Sequence, residues 1–322
     1  MTTTARPLPG QTARGIAFLV AGIAVFSVQD LILKLLSGGY PLHQAMVLRS
    51  LTAIPFLLLL VHWESGLRSL FTPGTRAMIL RGLVMFVAYT AYYLALAALP
   101  MATTVALYFS APLFITILSV FFLAERVGPS RWFALAAGFA GVLIMVRPGG
   151  DLFDRAALLP VLSGLTYAIS MIAARRLGSI ESASALAFWG NAVFLAAALA
   201  MSAVLGSGAH EGGAHPSLAF LLRGWVTPTP LDLLLMMACG IIAAVGLTLL
   251  TQAYRIGEAS VVTPFEYTGL LWSVLYGWAF WQQWPTGTGW AGIAVIVAAG
   301  LYILWTEGRQ ADRGPNAARA RE

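Results

Sequence analysis

Ten stretches of mostly apolar residues fill the chain almost end to end, separated by short polar or Gly- and Pro-bearing breaks. They run over residues 15–36, 43–62, 75–99, 101–123, 130–147, 154–177, 183–205, 231–256, 259–281 and 286–306. A helix needs about 20 such residues to cross roughly 30 Å of hydrocarbon, and most of these stretches are that long. Lipid offers the backbone no hydrogen-bond partner, so helices rather than open strands are the expected element. Short connections force neighbouring helices to pack antiparallel. The pattern predicts an all-α integral membrane protein of ten transmembrane helices.

Composition agrees with that reading. Of 322 residues, 59% are hydrophobic and 10% are charged, where a soluble domain carries about 25% charged residues. The net charge of +6 matters less than its placement. With the N-terminus in the cytoplasm, Arg6, Arg14, Arg68, Arg76, Arg81, Arg126, Arg131, Arg175, Arg176, Arg255 and the four arginines of 309–322 fall inside or at inner helix ends. Lys34, Arg147, Arg155 and Arg223 fall outside, and Arg49 lies within a span. The excess of inner positive charge predicts cytoplasmic N- and C-termini in an inner membrane. The basic balance is therefore topogenic and implies no nucleic-acid partner. No cleavable leader is apparent, because the first span carries Gln29, Asp30 and Lys34. A single cysteine, Cys239, excludes an intrachain disulfide.

The chain also resembles itself. The segment from Ala98 to Tyr108 and that from Arg255 to Phe265 both join two spans by a very short turn and then enter a helix with an aromatic residue at the matching place. Trp132 and Trp290 each open the last span of their half, and Gly141 and Gly300 follow at similar distance. Five spans per half make the second half inverted relative to the first. Inverted repeats are characteristic of secondary transporters, with substrate bound near the midplane between them. The expected organisation is a tail over 1–14, a first repeat over 15–150, a second over 151–308 and a tail over 309–322.

Particular residues carry a resemblance. Tyr93 to Leu107, Ala111-Pro112, Phe122-Leu-Ala-Glu125-Arg126, Trp132 and Gly141 resemble the first repeat of the EamA family, within the drug/metabolite transporter superfamily. Ala253-Tyr-Arg, Glu258-Ala259-Ser260, Thr263-Pro-Phe-Glu-Tyr267 and Trp290-Ala-Gly look like its second repeat. One departure is that Gln282-Gln283 stands where the first repeat has Glu125-Arg126. The resemblance implies ten helices around a central cavity and transport of small metabolites. The aromatic-rich spans are similar to YddG-type aromatic amino-acid exporters. The expectation is an amino-acid exporter, aromatic amino acids foremost, working by alternating access, with an importer of an aromatic metabolite or vitamin as the alternative. Expected partners are that small-molecule substrate and membrane lipid, with the chain a monomer or weak dimer.

Charges within a bilayer cost about 2.5–3.5 kcal/mol each by insertion scales and so mark candidate sites. Asp30 and Lys34, four apart on one helix, are placed to pair, with Arg49 in reach of Asp30. They form either a substrate contact or a structural charge network. Glu266 follows Pro264, which tends to kink a helix. It reads as a site for a substrate amine or a coupling proton, or as a buried structural acid. Tyr89, Tyr93, Tyr108, Trp189, Phe265 and Tyr267 offer stacking and cation–π surfaces. Asn191 and Gln252 add neutral hydrogen bonds. His210 and His215 lie in the glycine- and proline-rich connection 206–230 without further metal ligands. No phosphate-cradling loop or paired catalytic residues appear, so neither an enzyme, a cofactor nor ATP-driven pumping by this chain is expected.

Overall fold

The computed structural model describes residues 9–125, 127–146, 155–178, 180–212, 215–282, 284, 287–288, 290–295, 297–299, 301–302 and 305. Both predicted tails lie largely outside these, as do Arg126, Arg147, Gln283 and Gly300. The described residues are helical or irregular, without strands. The long helices are α1 (Pro9–Leu36), α2 (Leu42–Glu64), α3 (Thr75–Ala98), α6 (Pro129–Val146), α7 (Leu158–Leu177), α8 (Ala183–Leu205) and α10 (Pro230–Ile256). Shorter ones are α4 (Met101–Tyr108), α5 (Ala111–Leu123), α9 (Pro216–Leu222), α11 (Ala259–Val262) and α12 (Gly269–Trp281).

Seven helical runs are long and apolar enough to cross a membrane: Gln11–Leu36, Leu42–Glu64, Thr75–Ala98, Thr104–Leu123, Arg155–Leu177, Ala183–Leu205 and Pro230–Ile256. The fifth, ninth and tenth predicted spans correspond to α6, to α12 and to the apolar helix Trp290–Ala299. Large side chains such as Phe121, Phe133, Leu80 and Leu234 lie on the outer surface. In water such a surface would be an aggregation hazard, whereas in lipid it is the solvated face.

Two predicted spans are interrupted. The fourth breaks between α4 and α5, where Pro112 falls in the first turn of α5 and lacks the amide hydrogen that would continue the ladder. The ninth breaks at a 3-10 segment, Thr263–Thr268, with Pro264 in its first turn. Beyond each break a 13-residue helix follows, α5 in one half and α12 in the other. Each ends on a non-glycine residue in the left-handed region, Ala124 at φ 53° and Gln282 at φ 55°. These are the two such residues among those described.

The main helix packing runs between the halves: α1 against α10, α3 against α7, and α2 against α8 and α10. Small residues allow that approach where lipid supplies no hydrophobic drive between helices. A Cβ on Gly246 of α10 would stand 2.7 Å from the Phe26 ring of α1. The connection 206–230 is not wholly irregular. His215 caps α9 by accepting from the Ser217 amide, and Ser217 Oγ donates 2.7 Å to the Leu94 carbonyl, seating α9 on α3.

Candidate substrate-binding cavity

Between the halves lies a small central cavity. Asp30 from α1, Tyr92 from α3, Tyr108 from α4, Tyr167 from α7 and Glu266 from the 3-10 segment line it, over a floor that includes Phe109 and Leu250. Ser27 and Ser273 add hydroxyls. Its volume is about 80 Å³. That is room for a few waters at roughly 30 Å³ each, against about 300–1,000 Å³ for a typical ligand site. The cavity in this packing is thus smaller than a typical ligand site.

Each carboxylate is held by phenols. Tyr92 donates 3.1 Å to Asp30 Oδ2. Tyr167 and Tyr254 donate 2.9 Å and 2.5 Å to the same Glu266 oxygen, Oε1. The break in the ninth span matters here. A continuous helix would carry Glu266 at the pitch of α12, whereas the 3-10 segment after Val262 turns it inward, where it is buried at the cavity wall. The tyrosine rings are contiguous: Tyr92 lies 5.3 Å from Tyr108, which lies 5.7 Å from Tyr167. Such a wall suits a flat ring by edge and face contacts.

Of the residues predicted from sequence, Tyr108, Glu266 and Asp30 meet at this cavity. Tyr89 and Tyr93 stack 6.0 Å apart behind Tyr92, and Gln29 Nε2 donates to the Tyr93 hydroxyl. Phe265 packs in the apolar core beside the cavity. Tyr267 turns toward α6, its ring against Gly138 and its hydroxyl 3.4 Å from the Leu135 carbonyl.

The remaining predicted residues stand apart. Trp189 donates 2.8 Å to the Leu70 carbonyl in the α2–α3 connection. Asn191 donates 3.0 Å to the Ser50 carbonyl and clasps α8 to α2. Gln252 accepts 2.9 Å from Arg255, which also reaches Glu64 at 3.1 Å.

No ion pair or hydrogen bond joins Asp30, Lys34 and Arg49 to one another, although Arg49 is near enough to act on Asp30 through space. Lys34 instead donates 3.0 Å and 3.2 Å to the carbonyls of Leu96 and Leu99. The end of α3 leaves carbonyls without intrahelical partners and carries partial negative charge, so it outcompetes a carboxylate already bonded by Tyr92. Arg49 lies over the rings of Phe194 at 4.7 Å and Tyr89 at 5.5 Å.

Sequence reasoning missed Tyr167 and Tyr254, and placed Arg81 at an inner helix end. Arg81 is buried, donating to the Ser170 and Leu186 carbonyls at 3.1 Å and 3.2 Å and to Thr251 Oγ1 at 3.3 Å. It ties α3 to α7, α8 and α10. A hydroxyl or guanidinium inside an otherwise apolar span was the available signal.

The geometry accords with what this chain is similar to. The model of the EamA-like transporter family matches residues 13–147. A riboflavin transporter from Rhizobium johnstonii is 36% identical over 220 residues, which cover 68% of this chain and 67% of that protein. The chain belongs to the EamA family. Further relatives include an S-adenosylmethionine uptake transporter from Rickettsia bellii, 27% identical over 299 residues covering 91% and 94% of the two chains. A pseudopaline exporter from Pseudomonas aeruginosa is 25% identical over 295 residues covering 91% and 96%. One solved crystal structure superposes with a TM-score of 0.71 at 19% identity, covering 92% of this chain and 99% of that one, and so shares the fold. This EamA protein is therefore a multi-pass membrane transporter of small molecules and not an enzyme. The relatives named here are riboflavin, S-adenosylmethionine and pseudopaline transporters, not YddG-type aromatic exporters.

Proposed function

We propose that this chain is a secondary carrier for a small solute that bears both an aromatic ring and an amine, with aromatic amino acids the leading class and export the direction. The observation that carries the reading is the cavity itself, where two carboxylates, Asp30 and Glu266, meet a wall of three tyrosines. Carboxylates at membrane depth stabilise an ammonium, and the rings add stacking and cation–π attraction.

The carrier works by alternating access between two inverted five-helix repeats, over 15–150 and 151–308, with cytoplasmic tails in the inner membrane. The matched breaks, the paired 13-residue helices and the paired left-handed caps at Ala124 and Gln282 support that organisation. Polar ties cross the halves at both ends of the bundle. Arg131 meets Glu258 at 2.8 Å and Arg255 meets Glu64 at 3.1 Å at the end holding the first turn of α1. At the other end Tyr40 donates 2.6 Å to Asp232. Rocking would exchange one set for the other.

A second reading, uptake of a flat vitamin, is favoured by the riboflavin transporters of Rhizobium johnstonii and of Vibrio cholerae, the latter 29% identical over 304 residues. Flux of radiolabelled phenylalanine, tryptophan, riboflavin and S-adenosylmethionine into proteoliposomes separates the two. Saturable tryptophan or phenylalanine flux above that of empty liposomes is expected. Flux of riboflavin alone would replace the first reading by the second.

A further inference from the structure

Arg49 has no role in the cavity just described, yet its burial requires one. It is 2% exposed, and its Nε and Nη1 are both buried without a hydrogen-bond partner. Among the described residues no carboxylate lies within ion-pair distance of it. A buried guanidinium without a direct ion pair is costly, and buried polar atoms without partners call for an explanation. The rings of Phe194 and Tyr89, themselves 6.0 Å apart, hold the guanidinium in place. They offset part of the cost by cation–π attraction but satisfy none of its N–H groups.

A second orphan belongs to the same cluster. Gln29 is fully buried and spends its amide nitrogen on the Tyr93 hydroxyl, leaving Oε1 without a donor. Tyr93 stacks on Tyr89, which underlies Arg49. On its other side Tyr93 lies 5.6 Å from Tyr92, the cavity-lining phenol bonded to Asp30. The rings thus run without a gap from the cavity to the guanidinium. The unmet donors of Arg49 lie past Tyr89, the unmet acceptor of Gln29 lies beside Tyr93 in the middle of the run, and the carboxylates Asp30 and Glu266 line the cavity where the run begins.

We infer that Arg49 is the subsite for a carboxylate of the transported solute, reached when the cavity enlarges along Tyr92, Tyr93 and Tyr89. The inference rests on the proposed carrier function and adds to it that the substrate is zwitterionic. Its carboxylate lies on Arg49, its ammonium, borne on the same carbon, faces Gln29 Oε1 beside Tyr93, and its ring lies along the tyrosine wall toward the cavity. A guanidinium suits this task because it stays charged and presents planar donors to a planar oxyanion.

The test compares tryptophan with tryptamine, which differ by the carboxylate alone, and adds riboflavin as a ring without amine or carboxylate. Binding to the purified full-length protein is read by isothermal titration. Wild type is expected to bind tryptophan at least about tenfold more tightly than tryptamine, the value of one charge-assisted contact. In Arg49→Gln that ratio should fall to near one while tryptamine affinity holds. Arg49→Lys, which keeps the charge should the Gln variant misfold, should keep an intermediate ratio. Equal affinity of wild type for tryptophan and tryptamine overturns the subsite and leaves the amine-and-ring reading standing. So does an unchanged ratio in a folded Arg49→Gln. Binding of riboflavin with neither indole overturns the subsite together with the amino-acid reading but keeps a ring carrier. Binding of none of the three counts against the proposed function itself.

Discussion

Tyr254 on α10 donates a 2.5 Å hydrogen bond to Oε1 of Glu266, the oxygen that also takes the Tyr167 hydroxyl at 2.9 Å. Two phenols on one oxygen orient the carboxylate, with the acid itself on the cavity wall. The acid is thus positioned by groups from α7 and α10 and is not left to find its own rotamer. The same phenols connect the 3-10 break to two long helices, so a change at Glu266 is felt by both.

Glu266→Gln keeps the shape and an acceptor for both phenols but removes ionisation. Apparent affinity for amine-bearing solutes is expected to fall by about tenfold or more in proteoliposome flux, since hydrogen bonds to charged groups are worth roughly 1.5–3 kcal/mol. An imposed pH gradient should then matter little. Collapse of gradient-driven flux with preserved exchange would instead assign Glu266 to proton coupling. Wild-type affinity, rate and pH response would leave it a structural acid.

Tyr254→Phe isolates the positioning role. It removes the shorter of the two phenol bonds without touching the cavity wall. The loss of one such bond within a membrane bundle is worth about 0.6–1.7 kcal/mol by double-mutant measurements. A threefold to twentyfold weaker apparent affinity is expected, with the maximal rate nearly unchanged. Combining it with Glu266→Gln should add less than the sum, because both act on one group.

Arg81→Lys replaces a planar fork that reaches three acceptors on three helices by a single ammonium. It is expected to destabilise the purified protein by about 1.5–3 kcal/mol, seen as earlier thermal unfolding in detergent. Arg68→Lys, at an exposed position between α2 and α3, serves as the control and should unfold with wild type.

The arginine distribution makes a separate prediction about topology. A fluorescent reporter fused after Glu322 should be bright, and alkaline phosphatase fused there should be inactive. The reverse pattern would invert the assignment of both tails.

Much of the fold was legible from hydrophobic length alone. The third, seventh and eighth predicted spans, 75–99, 183–205 and 231–256, agree within a residue with Thr75–Ala98, Ala183–Leu205 and Pro230–Ile256. In lipid every backbone polar group must be satisfied within its own segment, so span and helix coincide. Family membership was legible as well, through motifs that pack the helices. The short turns at Ala98 and Arg255 suggest two similar halves, and the left-handed caps at Ala124 and Gln282 are in keeping with the repeat organisation proposed above.

The chemistry of the site was decided by tertiary structure, and the reason is depth and phase. A polar residue in an apolar span must find a partner, but the sequence does not say which neighbouring helix brings it. Trp189, Asn191 and Gln252 found carbonyls or an arginine at helix contacts away from the cavity, and Lys34 found the end of α3. Tyr167 and Tyr254, unremarkable in their own spans, converge on Glu266 because the Thr263–Thr268 break turns that acid between α7 and α10. The sequence determined that charges lie within the membrane. Which of them share a cavity, and which remain unpartnered as Arg49 does, follows only from how the two halves pack.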